Sequence, residues 1–159
     1  MKGLELAHIS PTERMAFQVT TRFPVESDLE AGTVRRLSAL INEVYDDAES
    51  GMWKRKGTRT DTAVVERLLR ERALILAEIY GALVGSVQVS LMGEGVGEFG
   101  MLVADPGRRG AGIGTALVQW YTRLGYSPRA TEQLETMYPN LVPELATECD
   151  FTVWHKPLT

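Results

Sequence analysis

The amino-acid sequence predicts an α/β (α+β) protein with a mixed, mostly antiparallel sheet flanked by helices. Three observations predict this fold class. Two amphipathic helical patterns lie in the first half, three short apolar segments with tight turns follow, and a glycine-rich loop then leads into another helical pattern. With 159 residues, of which 44% are hydrophobic, the chain has the length and composition of one globular domain.

Composition and charge exclude several functional classes. The formal charge of −4, from 17 Lys and Arg against 21 Asp and Glu, argues against nucleic-acid binding. No apolar run is long enough to cross a membrane. Cys149 is the single cysteine, and His8 and His155 are the two histidines, so we expect no disulfide, no metal site and a cytoplasmic location. We expect a flexible leader over 1–15 and one domain over 16–159.

The first elements are a strand and a helix. Residues 17–25 alternate between apolar and polar side chains, which is typical of a strand. The following helix starts either at residues 27–30, which have the spacing of a capping box, or at Thr33, and extends to about Tyr45. A polar loop is expected over 46–60. The apolar face of the helix contains four residues at helical spacing: Val34, Leu37, Ile41 and Val44.

The middle of the chain predicts a second helix and an antiparallel meander. Paired apolar residues one turn apart indicate a helix over 61–72. Three strands are expected over 73–79, 82–91 and 98–104, joined by glycine-marked turns. Gly85 lies inside the second of these strands, where a glycine indicates a bulge or a close backbone approach.

The glycine-rich loop after the third strand predicts an anion site. It contains Arg108 and Arg109 and leads into a helix, whose N-terminus has unpaired N–H groups and a positive dipole end. The pattern matches neither the P-loop, which needs a lysine after the glycines, nor the Rossmann glycine spacing. A phosphate or pyrophosphate fits this loop, and the alternative is a turn that only caps the helix. Its four glycines are Gly107, Gly110, Gly112 and Gly114.

Three segments of this sequence resemble the GNAT superfamily, the GCN5-related N-acetyltransferases. Residues 109–114 (Arg-Gly-Ala-Gly-Ile-Gly) fit the family's acetyl-CoA signature Q/R-x-x-G-x-G/A at every defined position. Val103 and Pro106 resemble the lead-in to that signature. Residues 120–126 (Trp-Tyr-Thr-Arg-Leu-Gly-Tyr) resemble a later aromatic-Tyr-x-x-Leu-Gly-aromatic motif of the family.

The resemblance implies transfer of an acetyl group from acetyl-CoA to a primary amine of a small molecule or peptide. Glu98 is the expected general base, and its alternative role is that of a solvated strand-end carboxylate. Tyr121 is expected to protonate the departing thiolate, and its alternative role is that of a core aromatic residue. The residues expected to bind the cofactor are Met101, Leu102, Val103, Arg108, Arg109, Gly110, Ala111, Gly112, Ile113, Gly114 and Thr115.

The sequence departs from the family pattern between the glycine loop and the Trp-Tyr motif. Gly114 and Trp120 are only six positions apart, whereas a crossover to a parallel strand needs a dozen or more residues. Either a segment of roughly thirty residues, the size of a βαβ-type unit, is missing from the sequence, or the deletion is real. A real deletion leaves residues 115–124 as one helix and gives the strand over 98–104 an open edge, which makes a homodimer possible.

Two further functions remain open at this point. A non-catalytic acyl-CoA-binding or sensing module would keep the loop without a completed acceptor site. An interaction subunit would have a glycine loop that binds nothing. The predicted partners of the enzyme are the amine substrate and a second copy of the chain, with no nucleic acid and no membrane.

Overall fold

The computed structural model describes residues 18–55, 57–93, 96–147 and 150–156. The predicted leader lies outside these ranges. No helix in this described part is long and apolar enough to cross a membrane. In chain order the elements are β1 (Val19–Arg22), α1 (Ala31–Ala48), α2 (Thr62–Arg70), β2 (Leu74–Ile79), β3 (Ala82–Gly93), β4 (Val96–Ala104), α3 (Ile113–Arg123), β5 (Ser127–Gln133), α4 (Leu134–Met137) and β6 (Asp150–His155).

The strands form two sheets. The first has the order β1-β2-β3-β4, and the second consists of β5 and β6. Every strand pairing in the described ranges is antiparallel. The predicted fold class, a mostly antiparallel sheet with flanking helices, is confirmed. The predicted meander is present as β2, β3 and β4.

The four-stranded sheet has a hydrophobic core on each face. Helices α1 and α2 pack on one face, where Leu37, Ile41 and Val65 are fully buried. Helix α3 packs on the other face, where Leu117 is fully buried against Ile75. Strands β2 and β3 are therefore buried on both sides, which explains why β2 reads as a continuous apolar run.

Gly85 allows α3 to approach the sheet closely. A Cβ atom at this position of β3 would lie 2.6 Å from the backbone oxygen of Val103 and 2.7 Å from Cγ2 of Ile113. No side chain fits in that space. The close backbone approach that the sequence indicates at Gly85 is confirmed.

The start of α1 differs from both predicted starts. The helix begins at Ala31 with Glu30 as N-cap, and Gly32 lies inside it. One glycine costs a helix about 1 kcal/mol, which the buried apolar face of α1 offsets. Most of the predicted capping box over 27–30 belongs instead to a 3-10 turn over Glu26–Leu29.

An ion-pair cluster holds this 3-10 turn against the sheet. The Arg22 guanidinium donates to Asp28 at 2.7 and 3.0 Å and to Glu78 of β2 at 2.7 Å. The Asp28 carboxylate also accepts from the backbone N–H of Val25 at 2.7 Å. Asp28 is buried, and its pKa lies below the usual range because the hydrogen bonds from Arg22 stabilise the ionised form.

The short join between the glycine loop and the Trp-Tyr motif is spanned by one helix, which is the arrangement expected if the deletion is real. Trp120 and Tyr121 belong to α3, which runs on from the loop, and Gly125 ends that helix with a φ of 90°. Strand β5 follows over Ser127–Gln133 and pairs with β6. The sequence from 120 to 126 is therefore the end of α3 and its cap.

The segment after α4 docks on the loop between α1 and α2. The backbone N–H of Lys54 donates to the oxygen of Glu144 at 2.9 Å, and that of Ala146 donates to Met52 at 2.7 Å. Trp53 and Leu145 form a β-bridge between these bonds. Helix α1 covers the start of the predicted loop over 46–60, and residues 52–54 of that loop are held by the segment after α4.

We predict that Asp28→Asn destabilises the protein by about 2 kcal/mol at neutral pH, because the ionic hydrogen bonds with Arg22 are lost. Since the folded-state pKa of Asp28 is lowered, its contribution is complete above the ordinary aspartate pKa near 4 and is lost as the pH falls through the folded value. Urea unfolding from pH 7 to pH 2 measures both effects. Exposed Glu66 pairs with Arg70, so Glu66→Gln is the control and should change stability by less than about 0.5 kcal/mol. An equal effect of the two variants contradicts the prediction.

Candidate functional site

The glycine loop connects β4 to α3 by two tight turns. Asp105 accepts from the backbone N–H of Gly107 at 2.9 Å and caps a 3-10 turn over Pro106–Arg108. Gly110 and Gly112 then have φ values of 82° and 79°, in the left-handed region that favours glycine. The glycines at these two positions are required by the backbone path.

The N-terminus of α3 has backbone amides without acceptors. Gly112 is the N-cap and has no side chain to accept a hydrogen bond. In the described part of the chain, no acceptor is present for the N–H groups of Ile113, Gly114 and Thr115. A helix end with unpartnered amides and no capping side chain is suited to an anion, because the amides and the helix dipole point at the same place.

These amides face a large cleft. It has a volume of about 1260 Å³ and lies between the glycine loop and the end of α1 with the loop that follows it. Seven predicted cofactor residues line it: Arg108, Arg109, Gly110, Gly112, Ile113, Gly114 and Thr115. Ala111, also predicted, lines a smaller cavity of about 500 Å³ on another side of the loop. The structure therefore brings most of the predicted loop residues together around one space.

Charged side chains lie on both sides of the cleft. On the loop side, Arg108 lies 3.7 Å from Asp105, and Arg109 has no ion-pair partner among the described residues. On the opposite side, the guanidinium of Arg59 lies 4.7 Å from the centre of the Tyr45 ring and 3.9 Å from Glu49. Arg109 is consequently the loop cation that is available for a bound anion.

A β-bulge distorts β4 just before the loop. Between the pairs Ser86–Val103 and Gln88–Gly100, β3 has one residue and β4 has two, Met101 and Leu102. Met101 has a φ of 45°, which is strained for a side chain of its size. The side chains of Met101 and Val103 are buried in the core under α1, and Leu102 is exposed. None of these three predicted cofactor residues lines the large cleft.

Tyr45 is a cleft residue that the sequence does not reveal. It lies near the end of α1, packs against the core that includes Met101, and lines the cleft. Burial raises the pKa of its phenol, although the charge of Arg59 and the backbone amides of Leu102 and Met101 act to lower it. One side chain of α1 thus lies close to the bulge amides and also lines the cleft.

Glu98 lies on β4, before the bulge residues Met101 and Leu102 in the sequence, and its side chain is exposed. Its Oε1 accepts a hydrogen bond of 2.7 Å from the hydroxyl of Tyr138, which follows α4. This hydrogen bond raises the pKa of Tyr138 to about 12, so the phenol remains protonated and donating at neutral pH. The sequence gives no signal for this contact, because forty positions separate the two residues.

Tyr121, the predicted acid, lies in a cluster of aromatic rings. Its ring is buried and stacks on Phe99 with centroids 3.8 Å apart. Trp120 and Trp154 pack edge-on against the same ring. Burial raises the pKa of the Tyr121 phenol far above its ordinary value. This packing is compatible with its alternative role, that of a core aromatic residue.

Among the described residues, no three histidine or carboxylate side chains lie close enough together to hold a metal ion. Cys149, the single cysteine, lies outside the described ranges.

A sheet with helices on both faces and a glycine loop that leads from a strand into a helix defines an α/β protein with a candidate anion site. The family profile described as the acetyltransferase (GNAT) family matches residues 38–142, more than half of the chain. The chain belongs to the GNAT acetyltransferase family. The resemblance seen in the glycine loop is confirmed, and with it the general assignment to acyltransferases.

Solved structures show the same fold at low identity. A GNAT-family acetyltransferase from Bacillus cereus is 11% identical with a TM-score of 0.55, and the match covers 89% of this chain and 99% of that one. Ard1 from Thermoplasma volcanium is 15% identical, with the same coverage and a TM-score of 0.51. Mosquito arylalkylamine N-acetyltransferase like 5b is 11% identical with a TM-score of 0.52, and the match covers 72% of this chain and 86% of that one. No curated protein matches this chain.

We predict that Gly112→Ala lowers stability by about 1 kcal/mol, because alanine is strained at a positive φ. The matched control is Gly114→Ala, two positions later. Nothing lies within 4 Å of a Cβ added at Gly114, and its φ is not positive, so alanine there should be neutral or stabilising by up to about 1 kcal/mol. Thermal unfolding of both variants measures the difference. Equal melting temperatures would show that the left-handed turn at Gly112 is not formed.

Proposed function

We propose that the protein is an N-acyltransferase that transfers an acetyl group from acetyl-CoA to a primary amine of a small molecule or peptide. The observation that carries this proposal is the set of unpartnered amides at the start of α3, next to Arg109, in a chain of the GNAT family. When bound, acetyl-CoA supplies an acetyl group activated as a thioester.

The residues of the glycine loop fit the diphosphate of this cofactor. Ile113, Gly114 and Thr115 offer backbone N–H groups along the cleft, and the dipole of α3 adds positive potential. Arg109 supplies the full positive charge that two phosphates require. The bulge at Met101 and Leu102 turns backbone groups away from the regular ladder, at the place where the cofactor's arm is expected.

Glu98 is proposed as the general base. An amine attacks a thioester only in its neutral form, so an ammonium must first lose a proton to a nearby group. Glu98 is a carboxylate on the strand that leads to the loop, and it is exposed to the solvent from which an amine arrives. It takes a proton from the amine directly or through a water molecule.

The acidic residues at the end of α1 suit a cationic acceptor. Glu43, Asp46 and Asp47 line the cleft across from the glycine loop. Their negative potential raises the local concentration of an ammonium near the site. This charge is compatible with an amine on either a small molecule or a peptide.

The first test separates the enzyme from a binding module. We predict that acetyl-CoA at one hundred times its Kd stabilises the protein by about 2.7 kcal/mol, and that thiol release with a panel of primary amines shows turnover. Arg109→Ala should weaken acetyl-CoA binding about tenfold, because an ionic contact is lost. The control is Arg67→Ala on α2, which pairs with Glu71 away from the cleft and should bind normally. Binding without turnover would favour the non-catalytic acyl-CoA-binding module, and the absence of binding would refute both functions.

The second test concerns Glu98. We predict that Glu98→Gln lowers kcat by about 100-fold or more, because the amide cannot accept the proton, while acetyl-CoA binding is unchanged. Glu71→Gln, an exposed carboxylate at the end of α2, is the control and should keep full activity. Turnover is followed by thiol release and cofactor binding by calorimetry. A Glu98→Gln enzyme with normal kcat would exclude Glu98 as the base.

A further inference from the structure

The carboxylate of Glu98 accepts a hydrogen bond from Tyr138, which a freely solvated carboxylate would lack. An exposed glutamate samples several rotamers, and most of them would not point its oxygens at a bound amine. A base that is misplaced by about 1 Å loses a large part of its catalytic effect. Whatever fixes the Glu98 carboxylate therefore contributes to the rate.

Tyr138 is itself firmly placed. The backbone N–H of Tyr138 donates to the backbone oxygen of Leu134 at 2.8 Å. The backbone oxygen of Tyr138 accepts from the N–H of Leu141 at 2.9 Å. Pro139 follows it and restricts the backbone further. A tyrosine side chain has only two torsions, so a fixed backbone leaves the phenol little freedom.

The segment that carries Tyr138 is anchored at its far end as well. Residues 144–146 bond to the loop between α1 and α2 through the backbones of Lys54 and Met52. The side chain of Lys54 adds a 2.7 Å hydrogen bond to the oxygen of Pro143. The hydroxyl of Tyr138 therefore reaches β4 from a segment that is anchored to the loop between α1 and α2.

We infer that Tyr138 is a positioning residue that orients the Glu98 carboxylate for proton abstraction from the acceptor amine. Its hydroxyl holds Oε1 at 2.7 Å. In the described part of the chain no group bonds Oε2, and this oxygen takes the proton. The phenol keeps its own proton throughout, since its pKa is raised to about 12. This inference rests on the proposed function, because it assigns a role within that reaction.

The test is a comparison of two tyrosine variants. We expect Tyr138→Phe to lower kcat about tenfold with an unchanged KM for acetyl-CoA, since the base is kept but no longer oriented. Tyr126→Phe is the matched control. The Tyr126 ring packs edge-on against Phe99 of β4, and its hydroxyl makes no hydrogen bond among the described residues, so kcat and KM should not change. In a Glu98→Gln background, Tyr138→Phe should cause no further loss, because the two residues act as one unit.

A second measurement does not require turnover. Carbon-13 NMR of the tyrosine rings in the natural protein should place the pKa of Tyr138 at about 12. In Glu98→Gln the value should fall toward the ordinary tyrosine pKa near 10. An unchanged value shows that the hydrogen bond is absent and overturns the inference.

The outcomes distinguish the inference from the proposed function. If the natural protein acetylates amines and Tyr138→Phe keeps the full kcat, the inference is wrong and the proposed function stands. If the natural protein turns over none of the amines, the proposed function is wrong and the inference fails with it. A tenfold loss in Tyr138→Phe that adds to the loss in Glu98→Gln would also overturn the inference, since Tyr138 would then act independently of Glu98.

Discussion

The close contact between α3 and the sheet at Gly85 determines where the glycine loop lies. Ile113 is the first residue of α3, and its side chain occupies the space above Gly85 in which a Cβ atom would be. The start of the helix is thereby fixed against β3, and the unpartnered amides at that start are directed into the cleft. A larger residue at Gly85 would displace the helix end, the loop and the anion site together, because packed interiors transmit strain. The electrostatics of the site thus depend on a steric feature of the sheet.

Much of the fold follows from local sequence patterns, and its missed parts have physical reasons. Strands β2 and β3, helix α2 and the start of α3 were predictable because their apolar residues repeat at the period of the element. The sequence does not predict strand β5, because this strand contains Pro128 near its start, is almost entirely exposed and lacks the alternation of a half-buried strand. The ion-pair cluster of Arg22 likewise replaces a local capping pattern by contacts across the sheet.

The site was predictable where its chemistry lies in the main chain. The sequence of a glycine loop indicates its conformation, since only glycine readily adopts the φ values found at Gly110 and Gly112. The side chains of Tyr45 and Tyr138 could not be predicted in this way, because they come from elements that are distant in the sequence. Tyr45 reaches the cleft from α1 and Tyr138 reaches Glu98 from beyond α4, and neither residue lies in a motif. The same limit applies to Tyr121, where a matching residue type was found but its burial against Phe99 was not foreseeable.

The docking of residues 144–146 on residues 52–54 has a consequence for how the molecule forms. These segments are about ninety positions apart in the chain, and their backbones bond directly to each other. Closing so long a loop costs conformational entropy that only the finished contacts repay, and non-local pairings of this kind form slowly. During synthesis, the four-stranded sheet can assemble as soon as β4 has emerged, whereas the contact with residues 52–54 cannot form until residues 144–146 have also emerged. A nascent chain would therefore be compact well before residues 52–54 and 144–146 are in contact.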